Sequence, residues 1–152
     1  MWKFYEQNVT TFDNCLVPDN IQFFPEKRVC HRTSPTNIGL YFVSIVCANV
    51  FSFITKYDLK TKLRASLDTV EKLKKDKGNL YNWYDTITLE VLSPKFISSV
   101  DSGNFVACLI CAKQMLKKIQ EDGEFDKEIS RLEKLISDTD LILSRLSFTY
   151  GH

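Results

Sequence analysis

One feature restricts the fold more than any other: the 23 residues from Thr33 to Thr55 contain no charged side chain. A run of that length either crosses a membrane or lies inside a packed domain. Pro35, Asn37, Ser44, Asn49 and Ser52 are scattered through it, which favours a buried helix over a membrane span. Ser34-Pro35 supplies the start. A serine at the N-cap accepts from free N–H groups, and a proline at the first helical position gives up no useful donor. A helix from about Pro35 to Phe53 is expected, apolar round most of its circumference and contacted on several sides. With 152 residues, 44% of them hydrophobic, the chain can bury a core around that helix as one domain.

Asp58 is expected to cap a second helix over Leu59 to Lys77, which Gly78 ends at the position favoured for glycine. Leu63, Leu67, Val70 and Leu73 form its buried stripe. From Tyr81 to Val100, Pro94 and many β-branched and aromatic residues break the helical period, so a loop or short β-hairpin is predicted near 81–100. Asp101 or Ser102 then caps a third helix ending near Gln120, with Phe105, Leu109, Ala112, Leu116 and Ile119 facing inward. Gly123 separates it from a fourth, Phe125 to Ser147, whose stripe is Ile129, Leu132, Ile136, Leu143 and Leu146. Residues 1–33 lack a sustained helical period and read as an irregular arm anchored by Trp2, Phe4, Tyr5, Phe12, Phe23 and Phe24. The expected class is all-α, built of antiparallel helical hairpins.

Twenty Lys and Arg against nineteen Asp and Glu give a formal charge of +1, which excludes the strongly basic balance of a dedicated nucleic-acid binder. Locally the charge is uneven: residues 56–77 are mainly basic and residues 121–140 mainly acidic. Both are read as solvated helix faces, with a docking surface as the lesser alternative. Five cysteines, an odd number without scaffold spacing, fit a reducing compartment. Cys108 and Cys111 form a C-x-x-C within the apolar NFVACLICAKQ. His31 alone, without a second C-x-x-C, leaves a tetrahedral zinc site incomplete, so core packing is expected and no metal or cofactor. Met1 to Glu6 lacks a basic region followed by an apolar stretch, so no signal peptide and a cytoplasmic location are expected.

Polar and aromatic residues crowd into PDN (Pro18–Asn20), HRTSPTN (His31–Asn37), YNWYDT (Tyr81–Thr86) and VDSGN (Val100–Asn104). Each is a short loop leading into, or lying beside, a helix. Sugars present hydroxyl edges and apolar C–H faces, so their sites combine aromatic platforms with carboxylates, amides and arginine. YNWYDT supplies that mixture. The same residues also suit a structural role, with Trp83 and Tyr84 plugging the core and Asn82 and Asp85 capping turns.

Together with Phe4-Tyr5-Glu6, Asp13-Asn14 and the run from His31 to Tyr41, these segments resemble, in order over Trp2 to Gln114, the central region of cyclic β-1,2-glucan synthases. The resemblance implies the start of an (α/α)6 toroid, which in such synthases cuts and rejoins linear β-1,2-glucan into rings by transglycosylation. It implies a β-glucan oligosaccharide or polysaccharide as ligand. It also implies a cleft lined by Asp19, Asn20, His31, Arg32, Asn37, Tyr81, Asn82, Trp83, Tyr84, Asp85, Asp101 and Asn104. The chain departs from the family at Cys15, where Trp is usual, and at Val17, where Pro is usual.

Twelve helices with their connections need roughly 300 residues. The chain is therefore expected to be a single but incomplete portion of the toroid, an irregular arm over 1–33 and helices over 34–152, membrane-associated only through a parent synthase. Glycoside chemistry requires two carboxyl groups about 5–5.5 Å or about 6.5–9.5 Å apart. Asp85 and Asp101 are the only acids in sugar-like settings, and the family's acid and nucleophile are expected beyond this segment, so no catalytic residue is assigned. Glucan binding without independent activity is the expected function. The alternative is a non-catalytic helical interaction module that associates with itself or a complementary chain through exposed apolar surface.

Overall fold

The computed structural model describes the backbone of residues 1–149 and the side chains of residues 1–139; the side chains at the stripe positions Leu143 and Leu146 lie outside that range. Among the described residues there are five α-helices: α1 (Trp2–Asn8), α2 (Pro35–Val50), α3 (Lys56–Lys72), α4 (Ser99–Ile119) and α5 (Asp126–Thr149). Three antiparallel pairs of two-residue strands accompany them: β1 (Ile21–Gln22) with β2 (Arg28–Val29), β3 (Arg32–Thr33) with β6 (Tyr84–Asp85), and β4 (Lys75–Asp76) with β5 (Asn79–Leu80).

Helix α2 begins as its sequence demands, Ser34 Oγ accepting from Asn37 N at 3.2 Å with Pro35 at the first position. Its Ile38, Tyr41, Phe42, Ile45 and Val46 are buried. The end comes at Val50 rather than Phe53, because Ser52 takes a left-handed conformation, φ 61°. Phe53 N then donates to Ala48 O at 2.8 Å and Ser52 N to Asn49 O at 2.9 Å, the paired closure that usually calls for glycine.

The boundaries of α3 also need correction. Thr55, not Asp58, is the N-cap: Thr55 Oγ1 accepts from Asp58 N at 3.1 Å and Asp58 Oδ2 accepts from Thr55 N at 3.3 Å, a reciprocal capping box. The helix stops at Lys72 instead of Lys77. Lys75 Nζ donates to Val70 O, Glu71 O and Leu73 O at 2.8, 3.2 and 3.1 Å, satisfying carbonyls left free at the helix end. Gly78 does not end the helix. With Lys77 it makes the two-residue turn of the β4–β5 hairpin, both at positive φ (49° and 86°), as such tight turns require.

Helix α4 starts three residues early, since Ser98 Oγ accepts from Asp101 N at 3.2 Å and so displaces Asp101 and Ser102 from the cap. The predicted stripes of α3 and α4 are buried as expected, with Ile119 only partly covered. The 1–33 arm is less irregular than its sequence suggests, for it contains α1 and a 3-10 turn at Thr11–Asp13. Tyr5 is buried there, but Phe12, Phe23 and Phe24 are 65%, 74% and 85% exposed and lie outside the core, Phe12 meeting the His31 ring edge-on at 5.5 Å between centroids. Between 81 and 98 the expected short hairpin is present, Tyr84 bridging Val91 with Asp85 N donating to Glu90 O and Leu92 N to Trp83 O, both at 2.9 Å, and β6 pairs in addition with β3, Arg32 opposite Asp85 and Thr33 opposite Tyr84.

Contacts along α2 and α4 rise together in sequence. Thr36 meets Asp101, and a Cβ on Gly39 would lie 2.8 Å from Cys108 Cβ, so the two helices run parallel. The same holds for α3 and α5, through Lys56–Glu124 at 2.7 Å, Arg64–Glu128 at 3.5 Å and Arg131–Asp68 at 2.6 Å. Hairpin α2–α3 thus stacks on hairpin α4–α5, like on like. The basic and acidic blocks, read from sequence as solvated faces, bond to each other across this second seam. No described helix is long and apolar enough to cross a membrane.

Candidate functional site

Parallel stacking brings the N-terminal ends of α2 and α4 to one rim of the molecule, and β3 and β6 run beside it. Side chains alternate along a strand, and that alternation sorts the polar clusters. Asn82, Tyr84 and Thr86 are buried, while Tyr81, Trp83 and Asp85 are only partly covered. Arg32 projects outward from β3 and lays its guanidinium over Trp83, Cζ 4.1 Å from the ring centroid. A guanidinium held over an indole face in this way has its position restricted by a cation–π contact.

Asp19 meets this pair. Its Oδ2 lies 3.6 Å from Arg32 Nη2, its Oδ1 accepts from Asn37 Nδ2 at 3.0 Å, and its Oδ2 accepts from Asn20 Nδ2 at 2.9 Å. The backbone of that loop is pinned: Asp19 N donates to Cys30 O at 3.2 Å and Cys30 N to Asn20 O at 2.9 Å. One step away in the first turn of α2, Thr36 Oγ1 donates to Asp101 Oδ1 at 2.6 Å and accepts from Asn104 Nδ2 at 3.2 Å. Asp19, Asn20, Arg32, Asn37, Trp83, Asp101 and Asn104 are therefore gathered at one rim. Asp19 and Arg32 retain side-chain exposures of 21% and 44%, and an ion pair so open contributes at most about 1 kcal/mol. A ligand can displace it. Carboxylates that accept, amides that do both and a guanidinium that donates are the complement of paired hydroxyls.

The remaining predicted cleft residues serve the fold. His31 is engaged by the arm, its Nδ1 2.7 Å from Asp13 Oδ1. Asp13 is buried and also accepts from the Thr86 hydroxyl, which ties the arm to β6. Tyr84 is wholly buried, its hydroxyl accepting from Tyr81 N at 2.8 Å and donating to Lys74 O at 2.6 Å. Burial pushes that hydroxyl well above the usual tyrosine range. Tyr84 and the 4% exposed Asn82 cannot line a cleft. Asp85 Oδ1 is taken up by Ile87 N and Thr88 N, both at 2.8 Å, which makes it a turn cap. Tyr81 packs against the core.

Thr36 was not foreseen as a rim residue, although its place two residues after an N-cap serine puts it in the first turn of α2. Among the described residues no group of three or more His, Cys, Asp or Glu is placed to hold a metal ion. A separate apolar groove of about 400 Å³ lies along α2, lined by Met1, Trp2, Leu40, Val43, Cys47 and Phe53 among others.

No family model matches the sequence. The chain is 40% identical over 120 residues to the cyclic β-(1,2)-glucan synthase NdvB of Rhizobium meliloti, an alignment that covers 79% of this chain. The chain spans only 4% of that protein's length. Among solved structures, a β-1,2-glucanase from Parabacteroides distasonis superposes with a TM-score of 0.72 at 16% identity, covering 90% of this chain and 19% of that one. An endo-β-1,2-glucanase from Chitinophaga pinensis, solved with sophorotriose and glucose, gives 0.72 at 14%, covering 90% and 33%. A Bacteroides fragilis protein provisionally named a glucoamylase gives 0.73 at 14%, with the same coverage. At such identities the likeness shows the fold: two stacked hairpins of an (α/α)6 toroid.

Proposed function

The chain is a relative of one segment of a cyclic β-(1,2)-glucan synthase, and from that kinship we propose that it forms part of the glucan-binding cleft of a carbohydrate-active toroid. The observation that carries this is the rim itself. Arg32 on Trp83, Asp19 between two asparagines, and Asp101 with Thr36 and Asn104 meet at one end of α2 and α4. The ligand is β-1,2-glucan, held for transglycosylation that this segment does not perform alone. In support, both acids in sugar-like settings are already hydrogen-bonded within the chain, Asp85 Oδ1 to Ile87 N and Thr88 N and Asp101 Oδ1 to the Thr36 hydroxyl.

Calorimetric titration with linear β-1,2-glucan tests the proposal. Arg32→Ala is expected to weaken binding about tenfold, or about 1.4 kcal/mol, with the melting temperature little changed because Arg32 is exposed. An unaltered affinity, or no binding by the parent chain, would overturn the reading. The apolar groove along α2, with Leu40 and Phe53 47% and 65% exposed, favours a second reading, an interaction module that pairs with another copy of itself.

A further inference from the structure

The β1–β2 hairpin carries two adjacent phenylalanines at its tip, Phe23 and Phe24, exposed to 74% and 85%. Isolated apolar residues on a surface need no explanation, but two consecutive and largely exposed phenylalanines at the end of a hairpin mark a contact site. The root of the arm identifies the contact. It springs from Asp19 and Asn20, whose backbone bonds to Cys30 close the hairpin and whose side chains belong to the hydroxyl-binding rim. Register is fixed above that root, Ile21 opposite Val29 and Gln22 opposite Arg28, and Gln22 Nε2 donates to Phe24 O at 2.6 Å. The Glu26–Arg28 contact at 3.5 Å flanks the tip without covering the rings.

We propose that Phe23 and Phe24 form an outlying apolar platform for a β-linked glucan chain that extends past the Arg32–Trp83 cluster. The inference rests on the glucan-cleft reading above and adds a second contact region to it. At about 3.3 Å per extended residue, Phe23 stands roughly 10 Å of chain beyond Asn20. One sugar ring at the rim cannot reach it, whereas a chain of several units can lay its C–H faces on the rings. The platform therefore discriminates by ligand length and not by the identity of one sugar.

The whole chain, as parent and as the Phe23→Ala/Phe24→Ala double variant, is titrated with the β-1,2-linked glucose disaccharide and with long linear β-1,2-glucan. The double variant is expected to lose about tenfold in affinity for the long glucan, to leave any disaccharide binding unchanged, and to keep its melting temperature. Phe23→Tyr/Phe24→Tyr, which preserves both ring faces, should restore the long-glucan affinity. Unchanged affinity for long glucan in the alanine variant, or an equal loss for both ligands, overturns the platform and leaves the cleft standing. A parent chain that binds no long glucan overturns the cleft reading and the platform with it.

Discussion

Buried hydroxyls set how this chain responds to alkali. Tyr41 and Tyr84 are almost fully covered, and burial raises the pKa of each above the ordinary tyrosine value, Cys15 and Tyr5 adding to the effect at Tyr41. The folded state therefore holds these protons more tightly than the unfolded chain does. The associated stability is complete below about pH 10 and falls as pH rises further, because the unfolded chain releases its tyrosine protons first. The urea midpoint should fall as pH rises above about 10, with part of the tyrosinate absorbance appearing only on unfolding. A flat midpoint, or all six tyrosines titrating in the native state, would contradict the burial. Composition could not decide whether YNWYDT is buried or reaches the surface, and the two alternate along it. The hexapeptide follows a strand period, Asn82, Tyr84 and Thr86 inward and Trp83 and Asp85 outward. Read with that period, Tyr84 would have been set aside and Trp83 kept.

Helix α2 depends on Gly39 for its seam with α4. A methyl group there would stand 2.8 Å from Cys108 Cβ and 3.3 Å from its Sγ, with the α4 backbone at Phe105 next nearest at 3.4 Å. Gly39→Ala gains helix propensity but forces two helices apart, and overpacking of this kind costs about 1–3 kcal/mol. Chemical denaturation should show a net loss, and adding Cys108→Ala should relieve it only in part, since the closer atom is Cβ. Stabilisation by Gly39→Ala would mean that the seam is looser than described. At this scale most of the architecture was legible. Ser34-Pro35 marks the start of α2, and the stripes of α3 and α4 are simple periodicities. The misplaced ends share one cause: each is closed by a residue that does not advertise itself. Ser52 takes the left-handed position usually given to glycine, Thr55 and Asp58 divide one cap between them, and Gly78, an apparent helix stop, is spent on a hairpin.

Two stacked hairpins without a shared sequence repeat make a molecule whose periodicity exists only in space. Contact between the basic and acidic blocks was hidden for the same reason, since Lys56 and Glu124, or Arg131 with Asp68 and Glu71, lie far apart in the chain. The apolar groove belongs to this scale as well. If a second copy covers it, light scattering should report a dimer that Leu40→Glu returns to monomer; a monodisperse monomer at all concentrations would dismiss the interaction-module reading. The parallel course of α2 and α4 has an electrostatic corollary. Aligned helices set like poles side by side, so two partial positive charges of about half an electron each crowd the same edge. Asp19, bonded to the first turn of α2, and Asp101, within the first turn of α4, are the counter-charges that make this arrangement tolerable. The two acids of the rim thus also hold the two poles together, and removing either charge is expected to loosen the seam between α2 and α4.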